Sequence, residues 1–182
     1  MGTLKGMLAA AFVLCVGYAG PAAAAELHGR VVKVTDGDTV VVLDAAREQH
    51  KVRLQGIDAP ERKQAFSEKS KLHLSDLVFG KDVVVRWDKR DRYGRIVGKV
   101  LVADRSCGKP PCPKDVDAGL EQIEAGLAWW YRAYAKEQTP DDRAAHEREE
   151  KKARARGVGV WSEKNPTAPW DFRKAKRSGA KR

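Results

Sequence analysis

Three aspartates sit at two glycine-marked turns. They are Asp36 and Asp38 in Asp36-Gly37-Asp38-Thr39, and Asp58 in Gly56-Ile57-Asp58-Ala59-Pro60-Glu61. Arg53 lies between the turns in Val52-Arg53-Leu54, and Arg95 closes a later turn, Asp91-Arg92-Tyr93-Gly94-Arg95. Carboxylates at turns can collect a hard cation. Two of them, with main-chain carbonyls and waters, suit Ca²⁺, which takes six to eight oxygens; Mg²⁺ accepts the same donors with more waters. Guanidinium forks can hold two phosphate oxygens and stabilise the added charge of a pentacoordinate transition state. An arginine keeps its charge and cannot act as a base. Glu61 can, by taking a proton from an attacking water. The combination points to cleavage of a phosphodiester. Each residue alone has a plainer reading. Asp in an Asp-Gly turn commonly bonds its own backbone, Glu61 after Pro60 can cap a following helix, and a lone arginine commonly ends in a surface salt bridge.

Other chemistries find little footing. Neither Cys107 nor Cys112 neighbours a histidine, and there is no Gly-x-Ser-x-Gly elbow or phosphate-cradling glycine loop. Tyr93, Trp129, Trp130, Tyr131 and Tyr134 lie near cations, and nucleobases stack on such rings for roughly 1–3 kcal/mol each. A run of three aromatics cannot all face water cheaply, so at least two of Trp129, Trp130 and Tyr131 belong to the core.

These residues need elements to position them. Val31-Val32-Lys33-Val34 and Thr39 to Leu43 are β-branched runs joined through Asp36-Gly37-Asp38, a hairpin signal. Lys51 to Leu54 alternates as a third strand, with Val52 and Leu54 on one face and Arg53 on the other. Phe66, Ser70, Leu74, Leu77 and Val78 recur at helical spacing, and Gly80 follows as a stop. Val83 to Val85 and Ile96 to Val102 are two further strands across the Asp91–Gly94 turn. Asp117 to Leu127 is a helix. Thr139-Pro140-Asp141-Asp142 starts another, with a capping hydroxyl, proline at the first position and acids in the first turn; Gly157 ends it. Val158 to Trp161 can dock as a last apolar segment. Five short strands, an inserted helix and helices behind them give an α+β chain with a mainly β core. The architecture expected is a five-stranded barrel of the oligonucleotide-binding (OB) type with about three helices.

The 182 residues carry a formal charge of +10. Lys5, the apolar Met7–Val16 run and Ala22 to Ala25 read as a signal peptide over residues 1–25, with a retained membrane anchor as the alternative. Removing it takes away one lysine and no acid, leaving +9. Enough chain remains for one domain over residues 26–162, followed by a basic tail over 163–182. A secreted domain this basic expects a polyanion, although a solvated basic surface reads the same. In an oxidising compartment Cys107 and Cys112 favour a local disulfide; free thiols and metal binding are the other readings. Six of residues 173–182 are lysine or arginine, a composition expected of a disordered, solvated end.

Together these residues resemble the staphylococcal (micrococcal) nuclease family, the thermonuclease-like domains. The resemblance rests on Asp36-Gly37-Asp38-Thr39, Arg53-Leu54, Ile57-Asp58-Ala59-Pro60-Glu61 and Tyr93-Gly94-Arg95, in the family's order. It extends through Gly126-Leu127-Ala128 to Gly159-Val160-Trp161, most of residues 27–162. It implies an OB barrel with three helices that hydrolyses DNA and RNA with Ca²⁺ and leaves 3′-phosphates. Asp38 and Asp58 match the family's calcium carboxylates, Ala59 a residue that offers its main-chain carbonyl, and Asp36 a carboxylate acting through water. Glu61 matches the general base, and Arg53 and Arg95 the phosphate-binding arginines. Tyr93 and Tyr134 fall near nucleotide-contacting tyrosines. Ala59 stands where the staphylococcal enzyme has Thr. The Cys107–Cys112 loop enlarges the connection after the fifth strand, and the basic tail lies outside the match.

The expectation is therefore a secreted or periplasmic Ca²⁺-dependent nuclease with DNA and RNA as substrates. It should be a monomer, with no obligate protein partner and no stable membrane insertion after signal cleavage. A rival from another class is a non-catalytic OB-fold nucleic-acid-binding protein. It has no need for carboxylates beside a phosphate, where they repel. A basic domain held on an anionic membrane by its tail is a third reading.

Overall fold

The β-branched run Ala25–Asp36 forms β1 and Thr39–Leu43 forms β2, antiparallel across Gly37-Asp38 with Asp36 opposite Thr39. These coordinates, a computed structural model, describe residues 25–179. The expected signal segment, Ala25 apart, and residues 180–182 lie outside the described residues. β3 (Gln49–Leu54) pairs with β2. After the short β4 (Ile57–Asp58) come β5 (Asp82–Arg90), which pairs with β1, and β6 (Ile96–Ala103), which pairs with β5. A parallel pairing of β3 with β6 closes the ring in the order β1-β2-β3-β6-β5. This is the five-stranded barrel expected from the strand pattern. Closure removes the exposed edges that an open sheet would present.

The interior is filled by β-branched side chains. Val31, Val40, Val42, Val52, Val85 and Val100 are fully buried. α1 (Ser67–Val78) packs on β1 and buries Ser70, Leu74, Leu77 and Val78 of the face the helical spacing selected, while Phe66 precedes the helix at φ +64° and is half-buried. α2 (Ala118–Glu124) starts at Asp117, whose carboxylate accepts from the Gly119 and Leu120 amides. α3 (Pro140–Arg156) packs on α2. The Thr139 hydroxyl accepts from the Asp142 amide at 3.1 Å, Pro140 opens the helix and Gly157 ends it at φ +62°. These are the caps its sequence specifies.

Three features go beyond the sequence pattern. β7 (Lys114–Asp117) adds to β6 outside the ring. β8 (Trp129–Trp130) pairs with β4, setting Asp58 opposite Trp129. The third feature is α4 (Pro169–Gly179), in the stretch whose composition predicts a solvated end. Its i, i+3 pair Trp170 and Arg173 both find partners on the domain, and composition carries no signal for such contacts. Among the described residues no helix is long and apolar enough to cross a membrane. Cys107 and Cys112 are joined in a disulfide within the β6–β7 connection.

Candidate active site

The turn between β1 and β2 is held from below. A Cβ on Gly37 would lie 1.9 Å from Ser70 Oγ and 2.8 Å from the Ala59 Cβ, so only glycine lets α1 and the Ala59 segment approach this closely. Gln122, fully buried on α2, donates to the Gly37 carbonyl at 2.6 Å and to the Ser70 carbonyl at 3.0 Å. The turn is thereby fixed by two helices, and Asp36 and Asp38 with it.

Asp38 is 5% exposed. Its carboxylate accepts from the Ala59 amide at 2.9 Å and from the Thr39 hydroxyl at 3.0 Å, and pairs with Arg53. Burial opposes its charge, but Arg53 and the Ala59 amide outweigh burial and hold the carboxyl below its ordinary range. Asp36 accepts from the Asp38 amide. Burial, with the Asp38 charge beside it, pushes Asp36 up to about 6.

Asp58 is reached by a different route. Gly56 turns the chain at φ +76°, and its carbonyl accepts from the Tyr131 amide at 2.8 Å. Asp58 then enters the short β4–β8 ladder, 1% exposed. β8 is itself pinned by the fully buried Glu150, which accepts from the Trp130 amide and from Arg132. Arg53 bridges the two turns. It pairs with Asp38 through one nitrogen and gives the other to Asp58 Oδ1 at 2.8 Å and to the Ile57 carbonyl at 3.3 Å. Val52 and Leu54 point into the core, so alternation puts Arg53 on the outer face, as expected.

Arg173 of α4 completes the cluster, and sequence reasoning missed it. It donates to both oxygens of Asp58, at 3.1 and 2.7 Å, and to Glu61 Oε1 at 2.6 Å. Burial pushes the Asp58 carboxyl up against the opposing pull of Arg173 and Arg53. Glu61 sits at the rim, 38% exposed at its side chain. Its amide donates to Gln64 Oε1, and Gln64 in turn donates to the Thr167 carbonyl just before α4.

The structure thus brings Asp36, Asp38, Arg53, Asp58, Ala59 and Glu61 together. Arg95 stands apart, paired with Asp91 at 2.7 Å and lying 5.5 Å from the Tyr93 ring. Its turn supplies that partner locally. Register still links it to the cluster. Arg53 pairs with Val97, and Arg95 shares the face of Val97 opposite the buried Ile96, which is the outer face of Arg53. Tyr93 and Tyr134 are 69% and 47% exposed, as stacking platforms must be. Trp129 and Trp130 are buried, whereas Tyr131 is half-buried and stacks flat on Trp170 with centroids 5.4 Å apart.

The donors of the cluster are all oxygens. Asp38, Asp58 and Glu61 meet two guanidiniums, Arg53 and Arg173, and Asp36 lies beside Asp38, an oxygen-only acidic set of the type a hard divalent cation takes. Among the described residues, one set of three ligand side chains has its donor atoms within 4.8 Å of one another, and it lies elsewhere: Asp44, Glu48 and His50 at the β2–β3 turn. There His50 donates to Asp44, which also accepts from the Glu48 amide, so the group closes its own turn.

Known proteins resemble this chain over most of its length. The family model described as staphylococcal nuclease homologue matches residues 51–163. The chain is 39% identical to "Protein ParB" of Escherichia coli over 168 residues, 92% of this chain and 91% of that protein. It is 39% identical to "Micrococcal nuclease" of Shigella flexneri over 171 residues, covering 94% and 92%. It is 36% identical to an "Uncharacterized endonuclease" of Escherichia coli over 159 residues, covering 87% and 93%.

Proposed function

This chain belongs to the staphylococcal nuclease homologue family and is a phosphodiester hydrolase acting on nucleic acid; from that premise we propose a secreted or periplasmic Ca²⁺-dependent nuclease that cleaves DNA and RNA and leaves 3′-phosphates. The observation that carries this reading is the convergence of Asp38 from one turn, Asp58 and Glu61 from a second segment and Arg53 from β3 into one cluster. A protein that only bound nucleic acid would gain nothing from burying carboxylates where phosphates must come, since they repel.

Asp38, Asp58 and the Ala59 carbonyl would hold Ca²⁺, whose charge would supply Lewis-acid stabilisation of a phosphoryl oxygen. The remaining work falls to the chain's own groups. Glu61 at the open rim orients a water and takes its proton as the water attacks phosphorus. General-base help of this kind typically contributes about 10²–10⁴-fold. Arg53, fixed by Asp38 and Asp58, neutralises charge that gathers on the phosphoryl oxygens, and Arg95 does so from the same barrel face. Loss of one such donor costs a similar order. Asp36 acts through water on the Asp38 side. Tyr93 and Tyr134 offer exposed rings to the flanking bases.

The disulfide and the leader-like residues 1–25 support an oxidising, extracytoplasmic setting. The test is release of acid-soluble nucleotides from single-stranded DNA and from RNA, with Ca²⁺ and with excess chelator, followed by phosphatase treatment of the product ends. Calcium-dependent release with phosphatase-sensitive 3′ ends is the expected result. Release that persists in chelator, or products carrying 5′-phosphates, would overturn the calcium and product assignments.

A further inference from the structure

We propose that α4 is an intramolecular strap: Arg173 takes the place of a cation on Asp58 and Glu61, Trp170 takes the place of a base on Tyr131, and metal and substrate gain the site by displacing the helix. The inference rests on the reading of Asp58 as a metal ligand and Glu61 as the base.

Three observations carry it. First, Arg173 engages both oxygens of Asp58 and one oxygen of Glu61. A cation joining Asp58 needs one of those oxygens, and a base acting from Glu61 needs its lone pairs free of a guanidinium. Second, Trp170 and Arg173 are three residues apart on a helix and so share one face. One element therefore covers the ring of Tyr131 and the carboxylates together, and Tyr131 is itself packed edge-on to Tyr134 at 5.0 Å. Third, the two arginines on Asp58 are held unequally. Arg53 lies within β3, paired to β2 and β6, is 17% exposed at its side chain, and is tied to Asp38 and the Ile57 carbonyl. Arg173 is 34% exposed, on a helix whose one buried residue is Pro169. Arg173 is the partner that leaves. Lys174, Lys176 and Arg177 lie on the same helix, so a polyanion approaching the site also draws α4 away from its acids.

A site available only when α4 is released binds its ligand with an apparent Kd raised by the reciprocal of the released fraction. A strap docked nine-tenths of the time or more weakens metal binding at least about tenfold. The test is calorimetric titration of Ca²⁺ into the intact protein without substrate, beside Arg173→Ala, Trp170→Ala and Asp58→Asn. Both α4 variants should tighten Ca²⁺ binding by at least about tenfold. Trp170→Ala leaves the charge unchanged, so a gain shared by both cannot come from net charge. A gain in Arg173→Ala alone is a charge effect and overturns the strap. Equal binding by the parent and both α4 variants, abolished in Asp58→Asn, overturns the strap and leaves the metal reading standing. No Ca²⁺ binding by any of them, or undiminished binding by Asp58→Asn, overturns both.

Discussion

Replacing Arg53 with methionine isolates the charge that bridges the two acidic turns while keeping most of the side-chain volume. In the parent, one guanidinium serves Asp38 and Asp58, 5% and 1% exposed. Taking one partner from a buried ion pair typically costs about 3–5 kcal/mol, because the other charge stays buried without compensation. The lower end applies here. Asp58 keeps Arg173, and Asp38 keeps the Ala59 amide and the Thr39 hydroxyl. A loss of about 3 kcal/mol in a chain of this size lowers Tm by roughly 6–12 °C. Added Ca²⁺ should return part of it, since a ligand at a hundred times its Kd contributes about 2.7 kcal/mol to the folded state. The assay is thermal unfolding followed by circular dichroism, in chelator and in Ca²⁺. The variant should melt well below the parent in chelator and gain more from Ca²⁺ than the parent does. A fall of less than about 2 °C in chelator, or a Ca²⁺ response no larger than the parent's, would refute the claim that Arg53 compensates the charge of the two buried carboxylates.

Two further perturbations probe how the site is positioned. Gly37→Ala places a methyl against Ser70 and Ala59. Overpacking of this kind costs about 1–3 kcal/mol, and an ångström of displacement at reacting groups costs about a hundredfold in rate. Tm and kcat/KM should both fall, with Ser70→Ala in the same chain recovering part of each; normal turnover in Gly37→Ala would show that the turn need not be this tight. Lys99 pairs with Asp142 at the first turn of α3 and holds that carboxyl below its ordinary range despite partial burial. A folded-state pKa below the unfolded one gives stability that is present above about pH 4 and lost as pH falls through the folded value. The Tm difference between parent and Lys99→Met should therefore be larger at pH 7 than at pH 2.5, and a difference that grows on acidification would contradict the pairing.

What the sequence made legible is what local chemistry determines. Asp-Gly between β-branched runs specifies the β1–β2 hairpin, and Thr139-Pro140 and Gly157 bound α3 because a cap is decided within one turn of its helix. The acidic turns and Arg53 could be read as a site because turn residues and strand alternation fix which side chains face outward. Asp58 is different. Its orientation depends on β4 and β8, two residues each, too short for periodicity to mark. Arg173 lies 115 residues from Asp58, and nothing in a run of lysines and arginines says which one meets a partner. Arg95 shows the opposite case. Its motif points to phosphate, while its own turn supplies Asp91 as a partner four residues away.

We propose that Glu61 and the paired carboxylates perform the hydrolysis. Single-turnover cleavage of single-stranded DNA in saturating Ca²⁺ tests it most directly, comparing the parent with Glu61→Gln at matched substrate occupancy. Removal of a general base predicts a cleavage step slowed at least about a hundredfold with DNA binding retained. Cleavage within a few-fold of the parent would contradict the assignment of Glu61 and move the proton transfer elsewhere in the cluster.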